Sequence, residues 1–181
     1  MDWSILLLDL IPVLIFVVFD SLGKVKYAVI GAVLAAALEL SYSYFFLGGV
    51  DGFSLIYVTL FLIFGGLSYK FNNPVFFKFK PVVVSTVSAL IFLVTYANGT
   101  PLMVLLMDRY AEILPAEAQA LLSSTQWRPI LARVSFYMIF GLVAHAGLVA
   151  WVALRSSTWW WLVARNAGFI VIAYLVVLVS M

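Results

Sequence analysis

Long apolar stretches follow one another along the chain, separated mainly by short polar, glycine or proline segments. A helix needs about 20 apolar residues to cross a bilayer. Stretches of roughly that length cover residues 26–47, 53–70, 80–97, 130–154 and 161–180. Hydrophobic residues make up 66% of the chain and charged residues 10%, so polar groups could not cover its apolar surface in water. The sequence therefore predicts an all-α membrane protein with one integral membrane domain over 1–181, built around a bundle of five transmembrane helices.

The N-terminal apolar segment, residues 5–22, is predicted to be a sixth and different element. Asp9 is a suitable N-cap, and Pro12 would then lie in the first helical turn, where no amide donor is required. A helix from there to the stop signal at Gly23 has about 14 residues, or about 21 Å, against a hydrocarbon core of about 30 Å. This length favours a half-inserted or re-entrant segment. The alternative is one kinked helix from Trp3 to Leu22 that just crosses.

Residues 101–114, in the long connection before the fifth span, have the pattern of an amphipathic helix. Apolar side chains occupy one face of a helical wheel: Met103, Leu106, Met107, Tyr110, Ile113 and Leu114. Charged side chains occupy the other: Asp108, Arg109 and Glu112. The pattern predicts an interfacial helix parallel to the membrane, acting either as a lid packed on the other helices or as a docking site for a partner.

Basic residues are distributed unevenly between the two predicted sides of the membrane. One side receives 7 of the 10: Lys24, Lys26, Lys70, Lys78, Lys80, Arg155 and Arg165. The other receives Arg109, Arg128 and Arg133. The positive-inside rule places the first set in the cytoplasm, and with it the connection between residues 71 and 79.

Glu39 and His145 lie at predicted membrane depth, where a charge is costly. Glu39 shares one helix face with the small residues Ala28, Ala32 and Ala35 and is therefore predicted to face the bundle. Its carboxyl group either packs there in a neutral or hydrogen-bonded form or has a functional role. His145, the only histidine, is either satisfied by a neighbouring hydroxyl or backbone group or forms a proton relay with Glu39.

Other residues also have both a structural and a functional interpretation. Ser85, Ser88 and Thr95 share a helix face and either form interhelical hydrogen bonds or line a polar path. The basic and aromatic stretch formed by Lys70 and Lys78-Phe79-Lys80-Pro81 either sets topology or holds anionic lipid headgroups. The aromatic residues 159–161 are typical of headgroup anchors.

Several classes of site lack support in the sequence. The chain has no cysteine, and neither a second histidine nor an H-x-x-E spacing accompanies His145, so no metal site is predicted. No P-loop, Rossmann or G-x-S-x-G motif is present, and no enzymatic activity or cofactor is predicted. A net charge of +2 without a run of basic residues argues against a nucleic acid partner.

Several short motifs are spread over nearly the whole chain. Phe64-Gly-Gly-Leu67, Phe71-Asn-Asn73 and Phe76-Phe-Lys-Phe-Lys-Pro81 stand in the middle and Leu8-Asp-Leu-Ile-Pro12 near the start. Trp127 with Leu131, and Arg165-Asn-Ala-Gly168, follow later in the chain. This set resembles the signature of the bacterial intracellular septation protein A family, also called inner membrane-spanning proteins. The resemblance implies a set of motif and interface residues: Gly65, Gly66, Asn73, Lys78, Lys80 and Trp127. Gly65 and Gly66 also indicate a close helix contact.

The resemblance implies a multi-pass protein of the bacterial inner membrane that is linked to cell division and to envelope integrity and lipid homeostasis. The leading hypothesis is a non-enzymatic protein acting through membrane lipids and through cell-division and cell-wall synthesis proteins. The alternative is a small transporter or lipid-translocating protein that uses the intramembrane polar positions Asp9, Pro12, Glu39 and His145.

Overall fold

The computed structural model describes the backbone of residues 3–46, 52–110 and 127–181, and their side chains except at 3–10, 43, 46, 52–55, 57 and 110. All regular secondary structure in these ranges is helical. The elements are α1 (Trp3–Ser21), α2 (Val25–Phe46), α3 (Gly52–Phe71), α4 (Val75–Lys78), α5 (Lys80–Ala97), α6 (Leu102–Tyr110), α7 (Trp127–Arg155) and α8 (Thr158–Ser180). The all-α prediction is confirmed for these residues.

Four stretches within the described ranges are long and apolar enough to cross a membrane. They are Val25–Tyr42, Val75–Ala97, Trp127–Arg155 and Thr158–Ser180. α1 and α3 contain the shorter apolar stretches Ile11–Ser21 and Val58–Phe71. The lengths therefore support four spans directly, and the total of five spans plus a sixth segment stays a prediction.

The predicted start of the first helix at Asp9 is wrong. α1 is continuous from Trp3 to Ser21, with both Asp9 and Pro12 inside it. A proline removes one backbone donor from a helix, and in membrane proteins such breaks are tolerated where neighbouring helices cover them. The Pro12 side chain is fully buried, as that explanation requires. With 19 residues, α1 is about 28 Å long, so the length argument for a re-entrant segment no longer holds.

Three of the described helices end in the same hydrogen-bonded motif, closed by a residue in the left-handed region. Gly23 (φ 71°) follows α1, Asn72 (φ 48°) follows α3 and Gly99 (φ 74°) follows α5. After α3, the Asn72 N–H donates to the Tyr69 carbonyl (3.4 Å) and the Asn73 N–H to the Ser68 carbonyl (3.1 Å). This is the Schellman pattern, which satisfies carbonyls at a helix end. The stop signal predicted at Gly23 is therefore confirmed, and Asn72 is the equivalent signal for α3.

The chain folds into two compact units. Unit 1 comprises Met1–Lys80 and Ala150–Val163, and unit 2 comprises Pro81–Val149 and Ala164–Met181. Helices α7 and α8 each contribute to both units. The prediction of a single membrane domain is not tested by this grouping and stays a prediction.

In unit 1, small residues allow α1, α2 and α3 to approach closely. Ala28 and Ala32 of α2 are fully buried. A Cβ atom added at Gly31 would lie 2.7 Å from a methyl carbon of Ile15, and one at Gly65 would lie 3.3 Å from a methyl carbon of Val29. Close backbone approach at such positions is how apolar helices associate within lipid, where burial of apolar surface gives little driving force.

In unit 2, α6 packs on a core built from α5 and α7. The core side chains are Ala89, Phe92, Ile139 and Leu142, and Leu102 and Met103 of α6 pack against them. The Met103 N–H donates to the hydroxyl of buried Ser135 (3.0 Å). The predicted amphipathic segment is thus helical over Leu102–Tyr110, and its first two residues pack on the core of α5 and α7. Residues 111–114 lie outside the described residues, and an orientation parallel to the membrane stays a prediction.

Candidate functional site

The family-like central motif of the sequence forms a tight, internally bonded turn between α3 and α4. The Ser68 hydroxyl, which is fully buried, accepts a hydrogen bond from the Phe77 N–H (2.8 Å). The Asn73 side-chain oxygen accepts one from the Val75 N–H (3.0 Å). Ser68 therefore serves the turn twice, since its carbonyl also accepts from Asn73. These bonds satisfy backbone donors at the start of α4, which has too few residues to do so itself.

Phe77 lies at the centre of an aromatic cluster in unit 1. Its ring stacks on Phe16 with centroids 3.9 Å apart and meets Phe61 edge-on at 5.1 Å. Trp161 approaches Phe16 edge-on at 6.4 Å, and its indole N–H donates to the Lys78 carbonyl (3.0 Å). Each such aromatic pair contributes roughly 0.5–1.5 kcal/mol beyond its area burial. The cluster joins α1, α3, α4 and α8.

A charged pair lies beside these rings. The Lys78 Nζ atom is 3.6 Å from Oδ2 of Asp20, and the Thr158 hydroxyl donates to the same carboxylate oxygen. Asp20 stands in the last turn of α1, where a negative charge is unfavourable beside the helix dipole. The Lys78 ammonium, the Thr158 hydroxyl and the N-terminal end of α8 offset that cost. We refer to Asp20, Ser68, Phe77, Lys78, Thr158 and Trp161 as the motif cluster.

Lys80 is also enclosed. Its Nζ atom lies 3.4 Å from the centroid of the Phe61 ring, a cation–π contact. As whole residues, Lys78 and Lys80 are only 5% and 4% exposed. The charged ends of these two lysines point into the protein, which argues against headgroup binding by Lys78 and Lys80, whereas Lys70 of the same predicted stretch is exposed. Trp161, 1% exposed, is likewise no headgroup anchor, whereas Trp159 and Trp160 are exposed as anchors would be.

His145 is the centre of a separate polar cluster in unit 2. Its Nδ1 atom lies 2.9 Å from the Ser85 hydroxyl, and its Nε2 atom lies 3.1 Å from the Arg165 carbonyl oxygen. A carbonyl only accepts, so Nε2 carries the proton and, in the neutral ring, Nδ1 accepts from Ser85. Phe169 meets the ring edge-on at 5.6 Å. This arrangement links α5, α7 and α8 and matches the interpretation in which His145 is satisfied by a hydroxyl and a backbone group.

The other predicted site residues are distributed as follows. The Asp9 backbone lies in α1, and its side chain lies outside the described residues. Glu39 is partly buried in α2, and its Oε2 atom is shielded from solvent. Gly66 is exposed with open space at its Cα, unlike its neighbour Gly65, and Trp127 opens α7 partly buried. A proton relay between Glu39 and His145 stays a prediction.

The motif cluster contains residues that the sequence interpretation missed. Asp20, Ser68 and Thr158 were not singled out, although Asp20 carried a detectable signal as an acidic residue in the last turn of an apolar helix. Thr158 lies 138 positions from Asp20 and gives no comparable signal. Chemically, the cluster holds four chain segments together. Among the side chains that the structure describes, no group of three histidine or acidic residues is placed to hold a metal ion.

Comparison with known proteins confirms the family resemblance. The family model described as intracellular septation protein A matches residues 5–181. The chain is 28% identical over 173 residues to the inner membrane-spanning protein YciB of Acidithiobacillus ferrooxidans, covering 96% of this chain and 88% of that protein. It is 28% identical over 153 residues to the YciB protein of Serratia proteamaculans, covering 84% and 79%. No solved structure matches. The chain therefore belongs to the intracellular septation protein A family and is a multi-pass protein of the bacterial inner membrane.

Proposed function

We propose that this protein supports septation and cell-envelope synthesis as a non-enzymatic component of the inner membrane, acting through partner proteins and membrane lipids. The observation that carries the proposal is the closed bonding of the motif cluster. Its charged groups contact one another, its hydroxyls bond to groups within the chain, and its aromatic rings pack together. A site for a substrate would direct such groups toward an opening.

The motif cluster therefore has an architectural role in this proposal. It fixes the ends of α1 and α3, the short helix α4 and the start of α8 in one arrangement. Surfaces on those helices are then presented to partners in a fixed geometry, which lowers the entropic cost of binding. The polar cluster around His145 has the same character in unit 2, because both ring nitrogens are engaged by groups of the chain. Transport through His145 and Glu39 is the competing function.

The proposal includes a topology in which α1 and α3 also lie across the bilayer. Their lengths of 19 and 20 residues give about 28 and 30 Å, close to the thickness of the hydrocarbon core. With six crossings, the 7-to-3 distribution of basic residues places the α3–α4 turn in the cytoplasm and both termini outside. Asn73 is exposed in that turn. A cysteine at Asn73 should resist a membrane-impermeant reagent in intact spheroplasts and react after lysis.

Complementation tests the proposed function. The chain is expressed in bacteria that lack their own family member and show a division or envelope defect. Restored cell length and resistance to envelope stress are expected. Photocrosslinking from exposed positions on α1 and α8 should then yield discrete products with septation or cell-wall synthesis proteins. Restoration of neither phenotype, with the protein present in the inner membrane at normal levels, would contradict the proposal.

A further inference from the structure

Four exposed basic side chains belong to unit 1: Lys24, Lys26, Lys70 and Arg155. Three of them lie on the α1–α2 turn, the first turn of α2 and the last turn of α3, and Arg155 ends α7. They differ in this respect from Lys78 and Lys80, whose side chains are enclosed. The exposed set was not distinguishable from the enclosed lysines by sequence.

Contacts within unit 1 bring these four residues to one end of it. The Lys24 N–H bonds to the last turn of α1, which also carries Asp20. The Nζ atom of Lys26 lies 5.4 Å from the centroid of the Tyr69 ring, next to Lys70 in sequence. Arg155 stands three positions before Thr158, whose hydroxyl bonds to Asp20. The four cations therefore lie on chain segments that adjoin residues of the motif cluster.

The positive charge at this end is not balanced by an exposed carboxylate in the part of unit 1 that the structure describes. Asp20 is present, but its side chain is 5% exposed and is paired with Lys78. Glu39, the other acidic side chain described there, lies about 22 Å further along α2 from Lys24. The enclosed ion pair thus leaves the outer cations free to attract an anion, and the distribution of charge is complementary to a negatively charged surface.

Exposed aromatic side chains indicate what that surface is. They occur beside the four cations, with 45–66% of each side chain exposed: Tyr27, Tyr69, Phe71, Trp159 and Trp160. Aromatic rings with this placement sit at headgroup level in membranes. Cations next to them are then within reach of lipid phosphates, since long basic side chains extend along apolar surface and keep the charge in the polar layer.

We propose that Lys24, Lys26, Lys70 and Arg155 form a binding surface for anionic phospholipid headgroups at this end of unit 1. The inference rests on the proposed function only in naming one class of its partners. The surface binds headgroup phosphate by charge, and its attraction weakens as ionic strength rises. The buried Asp20–Lys78 pair contributes by keeping the Asp20 carboxylate, the one described near these cations, from competing.

A lipid titration of the full-length chain in neutral detergent micelles tests the proposal. Thermal denaturation is followed while phosphatidylglycerol or phosphatidylcholine is added. The test variant is Lys26→Gln/Lys70→Gln, and the matched control is Arg109→Gln/Arg133→Gln, two exposed residues of unit 2. Each variant loses two positive charges, so the net charge falls from +2 to 0 in both. Circular dichroism verifies that both are folded before titration.

Phosphatidylglycerol is expected to stabilise the wild type and the control variant more than phosphatidylcholine does. The test variant should bind phosphatidylglycerol roughly 30-fold more weakly. Equal weakening in both variants, or equal stabilisation by the two lipids, would overturn the proposal, as would an equal effect of inorganic phosphate alone. If the wild type prefers phosphatidylglycerol but fails to restore division, the proposed function is contradicted and the proposal of a lipid-binding surface is still supported.

Discussion

The Lys78 ammonium and the Asp20 carboxylate lie 3.6 Å apart inside unit 1, where their side chains are 6% and 5% exposed. Charges enclosed to this extent lose their hydration, and the attraction between them repays that loss only if both partners are present. The pair also joins segments that are far apart in sequence, because Thr158 bonds to the same carboxylate. Its geometry makes the motif cluster sensitive to loss of either charge.

Replacing Lys78 alone by methionine is expected to destabilise the protein by about 3–5 kcal/mol, because the Asp20 charge would remain enclosed without its cation. Thermal denaturation in detergent measures the effect. Lys70→Met is the matched control, since Lys70 is exposed in the last turn of α3. A Lys78→Met variant as stable as Lys70→Met would show that the enclosed pair has no structural role.

Removing the hydroxyl of Ser68 by substitution with alanine should cost about 1–3 kcal/mol, because the buried Phe77 N–H loses its acceptor. Ser41→Ala provides a control of identical chemistry. The Ser41 hydroxyl bonds to a carbonyl of its own helix at an exposed position, so its loss should change stability little. Similar melting temperatures for the two variants would mean that Ser68 does not hold the α3–α4 turn.

The His145 ring is expected to carry its proton on Nε2 when neutral, because Nε2 faces the Arg165 carbonyl and Nδ1 faces the Ser85 hydroxyl. Nitrogen-15 NMR of the labelled protein distinguishes the two tautomers. His145→Leu should destabilise unit 2 by roughly 1–3 kcal/mol, since the buried Ser85 hydroxyl loses its partner. A proton on Nδ1 alone would be incompatible with the described hydrogen bonds.

The helices of this protein were predictable because lipid imposes strong constraints on sequence. A helix that crosses a bilayer must be long and apolar, and α2, α5, α7 and α8 carry that pattern without interruption. α1 was misread at its start because Asp9 and Pro12 give a local helix-start signal. Burial of Pro12 by the rest of the fold overrides that signal, and the local sequence contains no information about this burial.

The candidate site was less predictable because its contacts join distant positions. The motif Phe76-Phe-Lys-Phe-Lys-Pro81 contains Lys78 and Lys80, but a basic residue near a helix end is normally expected to face headgroups. That these two side chains turn inward depends on Asp20 and Phe61, which precede them by many residues. His145 was easier to interpret, because a single buried histidine is commonly satisfied by nearby hydroxyl or backbone groups.

Glu39→Gln is expected to be tolerated better than Glu39→Leu. One carboxylate oxygen is shielded from solvent, and glutamine keeps hydrogen-bonding capacity and nearly the same shape. Leucine would leave a polar neighbour unsatisfied, at a cost of roughly 1–3 kcal/mol. Thermal stability and complementation are measured together. A transporter that exchanges a proton at Glu39 would instead give a stable but inactive glutamine variant, and a leucine variant as stable as wild type would contradict the packing argument.

The most direct measurement of an architectural role for the motif compares Lys78→Met with the double variant Asp20→Asn/Lys78→Met in cells lacking their own family member. The double variant removes both enclosed charges and keeps an acceptor for Thr158. Cell length is recorded against the amount of folded protein in the membrane. If the motif cluster has an architectural role, the single variant loses folded protein and division activity together, and the double variant recovers both. A double variant present at wild-type levels in cells that still fail to divide would contradict this role, because the enclosed charges of Asp20 and Lys78 would then act outside the fold.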